Sequence, residues 1–356
     1  MILGLLSSPN PAERRVALVP PQVWALVRRG VQVLVESGVG VAAGYPDAEF
    51  EAAGGRIVYD RVEALARPDV ILCPDRPTRD ELALIKEGAI LAGLVNRFGT
   101  DRGFIAAAQE AGARLIALEE VKDEAGAAIL RRRFAQIAGT LCPTIAGHLM
   151  QSAGGKGHGI LLGAIPGFPS VEIVIVGAGV LGLAAARAFS GAGCQVTLLD
   201  TRAEALEAAE ALSGRVNTRL SGPSNLLHAL SYADVVVTSA AVPGQPAPVL
   251  ITQDDVSNMP RGSLLMDLAI DQGGNAETSR PIYALSDAWE EHDTLHFAMP
   301  NLPALVARTS SKVFSATVTP WLLGLARGDE DVIRRIDAAT VTMDGDEAVG
   351  AEGDGR

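Results

Sequence analysis

Residues 171–200 read VEIVIVGAGVLGLAAARAFSGAGCQVTLLD, and this stretch decides the fold. An apolar strand leads into Gly177, Gly179 and Gly182, which form the pattern G-x-G-x-x-G at the head of an alanine-rich helix. The first glycine permits a tight turn, the second lets backbone N–H groups approach a pyrophosphate, and the third lets the helix pack closely on the strand. Because unpaired N–H groups and the helix dipole favour anions at a helix N-terminus, we predict a dinucleotide site here.

The strand that follows this helix ends at Asp200, at the spacing expected for a ligand of the nucleotide ribose. Its carboxylate would accept hydrogen bonds from two ribose hydroxyls and repel a 2′-phosphate, so NAD is the predicted cofactor. Because of Arg202, NADP stays an alternative cofactor, since a nearby arginine is the usual partner of the 2′-phosphate. The alternative to a dinucleotide site is that the three glycines form a turn in an ordinary α/β unit. The predicted cofactor contacts outside the glycines are Val180, Leu181, Asp200, Thr201 and Arg202.

Apolar runs and helical stretches alternate on both sides of this segment. In the first third, strands are predicted at 31–36 and 69–73 and a helix at 20–30, which starts with proline and ends with glycine. Strand–helix repeats of this kind indicate parallel sheets covered by helices. Residues 125–153 are predicted to form one or two helices that lead out of the first sheet.

The predicted fold class is α/β, with two Rossmann-like doubly wound domains flanking a cleft. The substrate domain is predicted to consist of residues 1–127 and 308–356, and the NAD-binding domain of residues 128–307. The last residues of the chain, 343–356, are acidic and rich in glycine, and we predict that they are disordered.

The bulk composition narrows the class of protein. With 356 residues and 48% hydrophobic residues, the chain is long and apolar enough for two buried cores. The net charge of −12 argues against a nucleic-acid-binding surface. The three cysteines match neither a metal spacing nor a disulfide framework, so we predict no metal site and a cytoplasmic location. We expect neither a signal peptide nor a membrane span.

Several specific segments now carry a resemblance to a known family. The chain resembles the alanine dehydrogenase family, which includes the nucleotide-binding part of proton-translocating transhydrogenase, from about residue 10 to about residue 325. The segments that match are RRVALVP (14–20), GAGVLG (177–182) with Asp200, AVPGQPAP (241–248), MDLAIDQGG (266–274), ETSRP (277–281), HDT (292–294) and NLPALVARTS (301–310).

The resemblance implies a reaction and a set of site residues. In the family, hydride passes reversibly from the substrate Cα to nicotinamide, and water hydrolyses the imine. Arg15 matches the arginine that binds the substrate carboxylate, and Asp271 and Asn301 match side chains near the nicotinamide and substrate. The family is oligomeric, so we expect a homo-oligomer, either a dimer or a hexamer. Segments that match the family's cofactor loops supply further predicted cofactor contacts. These are Ala240, Val242, Ala269, Ile270, Asp271 and Asn301.

This chain departs from the family at two catalytic positions. Asp75, in ILCPDRPTRDE (71–81), stands where the family has a lysine that binds the substrate carboxylate. Asn96 stands where the family has the histidine that acts as acid and base, and asparagine does not titrate near neutral pH. Asp75 could take over proton transfer if burial raised its pKa, could bind a substrate ammonium, or could pair with Arg76 or Arg79 at a solvated edge.

Other residues near these positions are candidates for new contacts with an acidic substrate group. Arg97 follows Asn96, and Phe134 ends the run RRRF (131–134). A solvated, basic helix end is the alternative for this run. None of the five histidines is assigned as a replacement base. His148 is expected to be a packed, structural residue in the middle of a helix, and His296 could lie near the cofactor.

Three functions therefore stay open. The first is an NAD-dependent oxidoreductase acting on an amino acid, on a 2-oxo acid plus an amine, or on an imine, with a substrate other than alanine. The second is a non-catalytic NAD-binding protein that has lost its chemistry. The third is a nucleotide-exchanging component of a transhydrogenase, which would need a membrane partner. The predicted partner is a small-molecule substrate, with no nucleic acid and no membrane.

Overall fold

The computed structural model describes residues 1–96, 100–152, 156–209, 211–212, 214–241 and 245–343. The chain divides into two compact units. Unit 1 consists of residues 1–133 and 303–356, and unit 2 consists of residues 134–302. Each unit contains one largely parallel sheet with helices packed on it, so the prediction of an α/β fold with two Rossmann-like units is confirmed.

Unit 1 is built on a six-stranded sheet in the order β3-β2-β1-β4-β5-β6, and all its strand pairs are parallel. The order reverses between β1 and β4, which is the switch point of a doubly wound sheet. The strands are β1 (Ile2–Leu5), β2 (Gln32–Glu36), β3 (Arg56–Val58), β4 (Val70–Leu72), β5 (Ile90–Gly93) and β6 (Arg114–Ala117). The helices are α1 (Pro20–Val27), α2 (Asp47–Ala52), α3 (Arg61–Ala66), α4 (Arg102–Glu110) and, after unit 2, α10 (Ala307–Arg327) and α11 (Glu330–Asp337).

Unit 2 is built on a seven-stranded sheet in the order β12-β13-β11-β10-β7-β8-β9. Only the pair of β12 and β13 is antiparallel, and the switch point lies between β7 and β10. The strands are β7 (Glu172–Val176), β8 (Gln195–Asp200), β9 (Val216–Leu220), β10 (Val235–Thr238), β11 (Leu264–Asp267), β12 (Trp289–Glu291) and β13 (Thr294–Phe297). The helices are α6 (Val180–Gly191), α7 (Ala203–Glu207), α8 (Pro223–Leu230) and α9 (Gln253–Ser257). The helix α5 (Ile129–Leu149) contains the unit boundary at residues 133 and 134.

The central strands β4, β10 and β11 are apolar up to their last residues because helices cover both faces of each sheet. All residues of β4, β10 and β11 are buried. Polar side chains begin where these strands end. Several helices begin at a residue whose side chain accepts backbone N–H groups of the first turn. The Asp60 and Asp101 carboxylates accept N–H groups in the first turns of α3 and α4, and Thr252 and Asp255 form a capping box on α9. The sequence thus places the chemistry-bearing residues at the strand ends.

The helix α5 packs very closely on the first turns of α6 at Gly139. A Cβ atom at this position would lie 2.3 Å from the carbonyl oxygen of Leu181 and 2.8 Å from the Cβ of Ala184. Any side chain at Gly139 would therefore push α5 away from the N-terminal end of α6. This contact joins the long helix to the element that carries the glycine-rich turn.

Two of the sequence-based expectations about histidines can be compared with the fold. His148 lies near the end of α5 and is exposed, so the expectation that it is a packed, structural residue is wrong. His296, on β13, is buried; its Nδ1 lies 2.9 Å from the Thr294 carbonyl oxygen and its Nε2 lies 2.8 Å from the Thr278 hydroxyl. Its ring also stacks on Trp289. These contacts explain His296 as a structural residue of the sheet edge.

Two glycine-to-alanine substitutions in the helices of unit 2 test the close approach. Gly139→Ala should destabilise unit 2 by roughly 1–3 kcal/mol, because the methyl group overpacks the contact with α6. Gly191→Ala is the matched control: a Cβ at Gly191 would meet no atom within 4 Å, and alanine should stabilise the helix by up to about 1 kcal/mol. Thermal unfolding of both variants measures the difference. Equal midpoints for the two variants would contradict the close packing.

Candidate dinucleotide and substrate sites

The carboxyl ends of five neighbouring strands bring most of the predicted cofactor residues to one edge of the sheet in unit 2. In spatial order these ends belong to β8, β7, β10, β11 and β13. Parallel strands end at the same edge, and ligands of open α/β sheets bind there at the switch point. In the same order, the edge presents Asp200, the glycine-rich turn, Ala240, Asp271 and Asn301.

The glycine-rich turn connects β7 to α6 in a conformation that only small residues permit. Gly177 has a φ of +107°, and a Cβ at Gly182 would lie 1.8 Å from the Gly177 carbonyl oxygen. Gly179 is the N-cap of α6, and no side chain caps the helix there. Among the described residues, no atom lies within 4 Å of a Cβ at Gly179, so these residues leave the space in front of the helix N-terminus open. The three glycines thus have the three separate roles that the motif requires.

Asp200 at the end of β8 is buried and fixes the turn from the neighbouring strand. Its Oδ2 accepts the N–H of Ala178 at 2.8 Å, and its Oδ1 accepts the N–H of Arg202 at 2.9 Å and the Nε of Arg202 at 3.2 Å. Burial alone would raise the pKa of this carboxyl, but these hydrogen bonds and the positive charge of Arg202 outweigh it, and the pKa is lowered. Asp200 is therefore an anion over the whole neutral range, and its Oδ2, which accepts one hydrogen bond, keeps a second lone pair for a further donor.

A buried polar framework that the sequence analysis missed holds the loops after β10 and β11. The Oδ2 of Asp267 accepts the N–H of Asn275 at 2.6 Å and the hydroxyl of Ser279 at 2.6 Å, and its Oδ1 accepts the N–H of Ala269 at 3.1 Å. The side chain of Asn275 bonds both the N–H and the carbonyl oxygen of Ala240. Since Asp267 is the last residue of a buried strand, the pattern MDLAIDQGGN contained the signal for this role.

Asp271 and Asn301 meet although 30 positions separate them in sequence. The backbone N–H of Asn301 donates to the Asp271 carboxylate. Asn301 has a φ of +56°, a left-handed conformation in which asparagine is one of the favoured residues. Desolvation raises the pKa of Asp271, while the bond from Asn301 opposes the rise. Asp271 is exposed in the described structure, so water also screens its charge.

The edge of the sheet in unit 2 fits a dinucleotide. An open helix N-terminus with unpaired donors suits a diphosphate. One strand away, the Asp200 carboxylate suits ribose hydroxyls. On the other side, the loops that carry Ala240, Ala269 and Ile270 are held by the Asp267 framework. Val242, another predicted contact, lies outside the described residues.

In unit 1, Asp75 lies at the end of β4, at the switch point next to the end of β1. Its Oδ2 lies 3.4 Å from the hydroxyl of Ser8, which follows β1. Burial raises the pKa of Asp75; Arg76 acts in the opposite direction, the negative charge of Glu13 adds to the rise, and the hydrogen bonds from Ser8 and Asn10 again oppose it. The loop that carries Asp75 lies so close to β5 that a Cβ at Gly93 would be 2.3 Å from the Asp75 carbonyl oxygen.

Arg76 and Arg79, which follow Asp75 in sequence, form no ion pair with it in the described part of the chain. The guanidinium of Arg76 bonds the Thr100 hydroxyl and lies 5.4 Å from the ring of Phe104. Pairing at a solvated edge therefore does not account for Asp75. Its half-buried position and raised pKa are typical of a carboxyl group in a functional site.

Arg15 is buried and forms an ion pair with Glu13, whose side chain is buried as well. The Nε of Arg15 donates to Oε1 of Glu13 at 2.7 Å, and Nη2 donates to Oε2, so the pair is bidentate. The pair is buried in unit 1 and not exposed at its surface. Glu13 fixes the plane of the Arg15 guanidinium, and the negative charge of Glu13 also raises the pKa of Asp75.

Asn96 lies at the end of β5 in a left-handed conformation with a φ of +45°. A second carboxylate that sequence reasoning missed positions it: the Oε1 of Glu119 accepts the N–H of Asn96 at 2.7 Å, and Oε2 accepts the N–H of Val95 at 3.2 Å. Glu119 follows β6, so the pair Glu119–Glu120 after a strand was the available signal. The Asn96 side chain is exposed, and Arg97 lies outside the described residues.

The run 131–134 divides between several roles. Arg131 is ion-paired with Glu120, and Arg133 donates to the Thr317 hydroxyl on α10 at 2.6 Å. These contacts give the arginines structural partners inside unit 1, and the side chain of Phe134 is buried. The role of Phe134 in substrate binding stays a prediction.

In the part of the chain that the structure describes, no cluster of His, Cys, Asp and Glu is arranged to hold a metal ion. None of the described helices is long and apolar enough to cross a membrane.

The fold and the glycine-rich turn define a class of two-unit, doubly wound α/β proteins with a dinucleotide-type loop in the second unit. Within that class, the chain belongs to the alanine dehydrogenase/PNT family. The model of the family's N-terminal domain matches residues 6–138, and the model of its C-terminal domain matches residues 143–346. The resemblance that was read from single motifs is therefore confirmed.

Named relatives agree with this assignment. The chain is 35% identical to the alanine dehydrogenase of Mycobacterium tuberculosis over 328 residues, which cover 92% of this chain and 88% of the relative. It is 31% identical to the alanine dehydrogenase of Bacillus subtilis over 92% of this chain and 86% of the relative. A solved structure of an L-alanine dehydrogenase superposes with a TM-score of 0.90 at 27% identity and covers 99% of both chains. A transhydrogenase from Sinorhizobium meliloti shares the fold, with a TM-score of 0.82 at 24% identity over 96% of this chain and 99% of the other.

Proposed function

We propose that this protein is an NAD-dependent oxidoreductase that acts on an amino acid, on a 2-oxo acid plus an amine, or on an imine, and whose substrate is not alanine. The observation that carries the proposal is the half-buried Asp75 at the switch point of unit 1. The resemblance implies a lysine at that position and a histidine in place of Asn96. A carboxylate in place of a cation reverses the charge that a substrate meets, so the preferred substrate should change with it.

The residues of unit 2 would bind and orient the dinucleotide. The N–H groups at the start of α6 would receive the diphosphate, and Asp200 would accept hydrogen bonds from the ribose. Bound NAD supplies an acceptor for the hydride that leaves the substrate carbon. The bond from the Asn301 N–H would hold Asp271 in place at the far end of the same edge.

The residues of unit 1 would bind the substrate and move its proton. Arg15, oriented by Glu13, is the cation suited to a carboxylate. Asp75 is the titratable group at this edge that we assign as the proton acceptor, since Asn96 cannot exchange a proton. In the oxidative direction Asp75 would accept a proton from the substrate amine as the imine forms, while bound NAD would supply the acceptor for the hydride of the substrate C–H bond. Water then adds to the imine carbon and releases an ammonium ion and a 2-oxo acid.

A second candidate function is an NAD-binding protein without chemistry. It is favoured by the loss of both family side chains at Asp75 and Asn96, while the glycine turn and Asp200 keep the geometry of a nucleotide site. The two functions share the same cofactor site and differ only in what unit 1 does.

A substrate screen separates them. Absorbance at the NADH band should fall when NADH is mixed with some 2-oxo acid plus an amine, or with a cyclic imine, and pyruvate plus ammonia should react at a far lower rate. NADH binding measured by calorimetry without turnover in the whole panel would support the non-catalytic protein instead. Efficient turnover of alanine would contradict the proposed change of substrate.

The pH dependence of catalysis tests the role of Asp75. Because its pKa is raised, the deprotonated form that accepts a proton accumulates only above the usual carboxyl range, so kcat/KM for amine oxidation should rise with pH through that raised pKa and then level off. Asp75→Asn should remove this limb and lower kcat by about 10²–10⁴-fold. Asp75→Glu is the control and should restore the limb. If Asp75→Asn raises KM and leaves kcat unchanged, the carboxylate binds an ammonium group and moves no proton.

The choice of cofactor can be tested at Asp200. Asp200→Ser removes the anion that repels a 2′-phosphate and leaves Arg202 beside the site, so NADPH binding should improve. NADH binding should weaken about tenfold or more, since a hydrogen bond to a charged group contributes roughly 1.5–3 kcal/mol. Arg202→Ala is the control and should leave NADH affinity nearly unchanged. Fluorescence titration with both nucleotides measures the shift, and an Asp200→Ser variant that still prefers NADH would refute the assignment.

A further inference from the structure

One arginine of unit 1 joins several loops at the edge of the sheet where Asp75 lies. Arg61 is the first residue of α3, and its guanidinium lies between two carboxylates. One belongs to Glu36, the last residue of β2, and the other to Glu81, in the segment that follows β4. The two partners are 25 and 20 positions away in sequence, so no local pattern predicted the contact. We call these three side chains the Arg61 cluster.

All three nitrogen atoms of the Arg61 guanidinium take part in the cluster. Nη1 donates to the two carboxylate oxygens of Glu36 at 2.7 and 2.9 Å, and Nε and Nη2 donate to the two oxygens of Glu81. The side chains of Arg61, Glu36 and Glu81 are 28%, 14% and 19% exposed. Because the cluster is largely shielded from water and the planar fork suits carboxylates, its geometry is fixed more firmly than that of an exposed ion pair.

The Arg61 cluster holds the loop after β1 through Ser7. The Oε2 of Glu36 accepts both the N–H and the hydroxyl of Ser7, each at 2.7 Å. The Nη1 of Arg61 lies 3.3 Å from the carbonyl oxygen and 3.3 Å from the hydroxyl of Ser7, and the thiol of Cys73 lies 3.5 Å from the same carbonyl oxygen. Every polar group of Ser7 therefore has a partner, so a shift of Arg61 or Glu36 would move the start of this loop.

The Arg61 cluster also holds the loop after β4, which carries Asp75. The Oε2 of Glu81 accepts the N–H of Thr78, three residues beyond Asp75, at 2.7 Å. The same loop lies against β5, where a Cβ at Gly93 would be 2.3 Å from the Asp75 carbonyl oxygen. The loops after β1 and β4 are therefore both bonded to the same guanidinium through one glutamate each, and these are the loops that meet at Asp75.

The two loops meet at the contact between Ser8 and Asp75. The Ser8 hydroxyl lies 3.4 Å from Oδ2 of Asp75, and its oxygen accepts the N–H of Asn10 at 3.0 Å. A donor–acceptor distance of 3.4 Å is close to the limit for a hydrogen bond, so a small shift of either loop decides whether this bond is made. The other groups that face Asp75 are the side chains of Asn10, Glu13, Cys73 and Arg76 and the backbone of Gly93.

We propose that Arg61 is a positioning residue for Asp75, because it fixes Ser7 and thereby keeps the Ser8 hydroxyl against the Asp75 carboxylate. The charge of Arg61 is balanced by its two glutamate partners, so its influence on Asp75 passes through the position of the loop. The inference rests on the proposed function, in which Asp75 accepts a proton from the substrate. A hydrogen bond to a carboxylate favours the ionised form, so Arg61 limits the rise in the pKa of Asp75 that burial causes.

A purely structural role for the Arg61 cluster would have different consequences. An ion-pair network that only stabilises unit 1 would, when broken, lower the unfolding temperature and leave the proton affinity of Asp75 as it is. A network that acts through its charge would change the proton affinity of Asp75 whether or not residue 8 carries a hydroxyl. Only a positioning role makes the effect of Arg61 depend on Ser8, and a double-variant cycle measures this dependence.

The pH profile of kcat/KM tests the inference on the full chain. Arg61→Gln should move the rising limb to higher pH by roughly 0.5–1 unit, because a carboxyl that loses the Ser8 hydrogen bond holds its proton more tightly. Ser8→Ala should give the same shift, and the double variant should move the limb no further than Ser8→Ala alone.

Arg56→Gln is the matched control for this profile. Arg56 also pairs with a glutamate of unit 1, Glu63, but its side chain is 54% exposed, so the limb should stay in place. Shifts of Arg61→Gln and Ser8→Ala that add in the double variant would contradict a role that passes through Ser8.

A thiol titration measures the same effect without turnover. The three native cysteines are free and buried, so in Asp75→Cys the introduced thiol dominates the reaction with iodoacetamide, and the rate against pH gives its pKa. Arg61→Gln added to this variant should raise that pKa by roughly 0.5–1 unit, whereas Arg56→Gln should leave it unchanged. Circular dichroism checks that each variant is folded. If Arg61→Gln does not fold, Arg61→Lys replaces it and should shift the pKa in the same direction, since one ammonium group cannot reproduce the fork of bonds to both glutamates.

The two measurements separate this inference from the proposed function. An introduced thiol with the same pKa with and without Arg61→Gln would overturn the positioning role, whatever the substrate. A thiol pKa that rises with Arg61→Gln, in a protein that turns over no substrate of the panel, would support the positioning role and contradict the catalytic function of Asp75.

Discussion

The contact between Gly182 and the Gly177 carbonyl oxygen is the constraint on which unit 2 depends. With 1.8 Å between that oxygen and a Cβ at Gly182, a larger residue would force α6 away from β7. The helix would then no longer aim its first N–H groups at the space in front of Gly179. The same helix also packs closely on α5 at Gly139. Two glycine contacts of α6 thus hold the N-terminus that would bind the diphosphate, because only glycine permits such close backbone approach.

The carboxylates at the strand ends of the two units differ in how firmly hydrogen-bond donors hold them. In unit 2 the carboxylates are tied down by donors: Asp267 by Asn275 and Ser279, and Asp200 by Ala178 and Arg202. Such groups shape the loops and hold fixed charges. In unit 1, Asp75 has weaker donors, lies partly out of water and stays near Glu13, so its pKa rises. A carboxyl that is only loosely satisfied can exchange a proton, whereas one held by several donors stays ionised.

Most of the fold and the cofactor half of the site could be predicted from the sequence. The glycine spacing, the apolar strands and Asp200 are local patterns, and local patterns report backbone geometry directly. Glu119, Ser8 and Asn275 were missed because each acts through a partner far along the chain, as Ser8 does on Asp75 across 67 positions. Polar residues after strands are common, and the sequence does not say which of them face one another. The exposure of His148 was missed for a different reason: the sequence of its helix shows no clear polar face.

The sequence by itself determined that two doubly wound α/β units are present, that one has a glycine-rich turn followed by an acidic strand end, and that Asp75 and Asn96 stand at unusual positions. Tertiary structure alone decided that Asp271 meets Asn301, that Arg15 is buried against Glu13, and that the Arg76 guanidinium bonds the Thr100 hydroxyl. The physical reason is that strand order sets which loops become neighbours. That order results from the packing of the whole sheet, which no short stretch of sequence encodes.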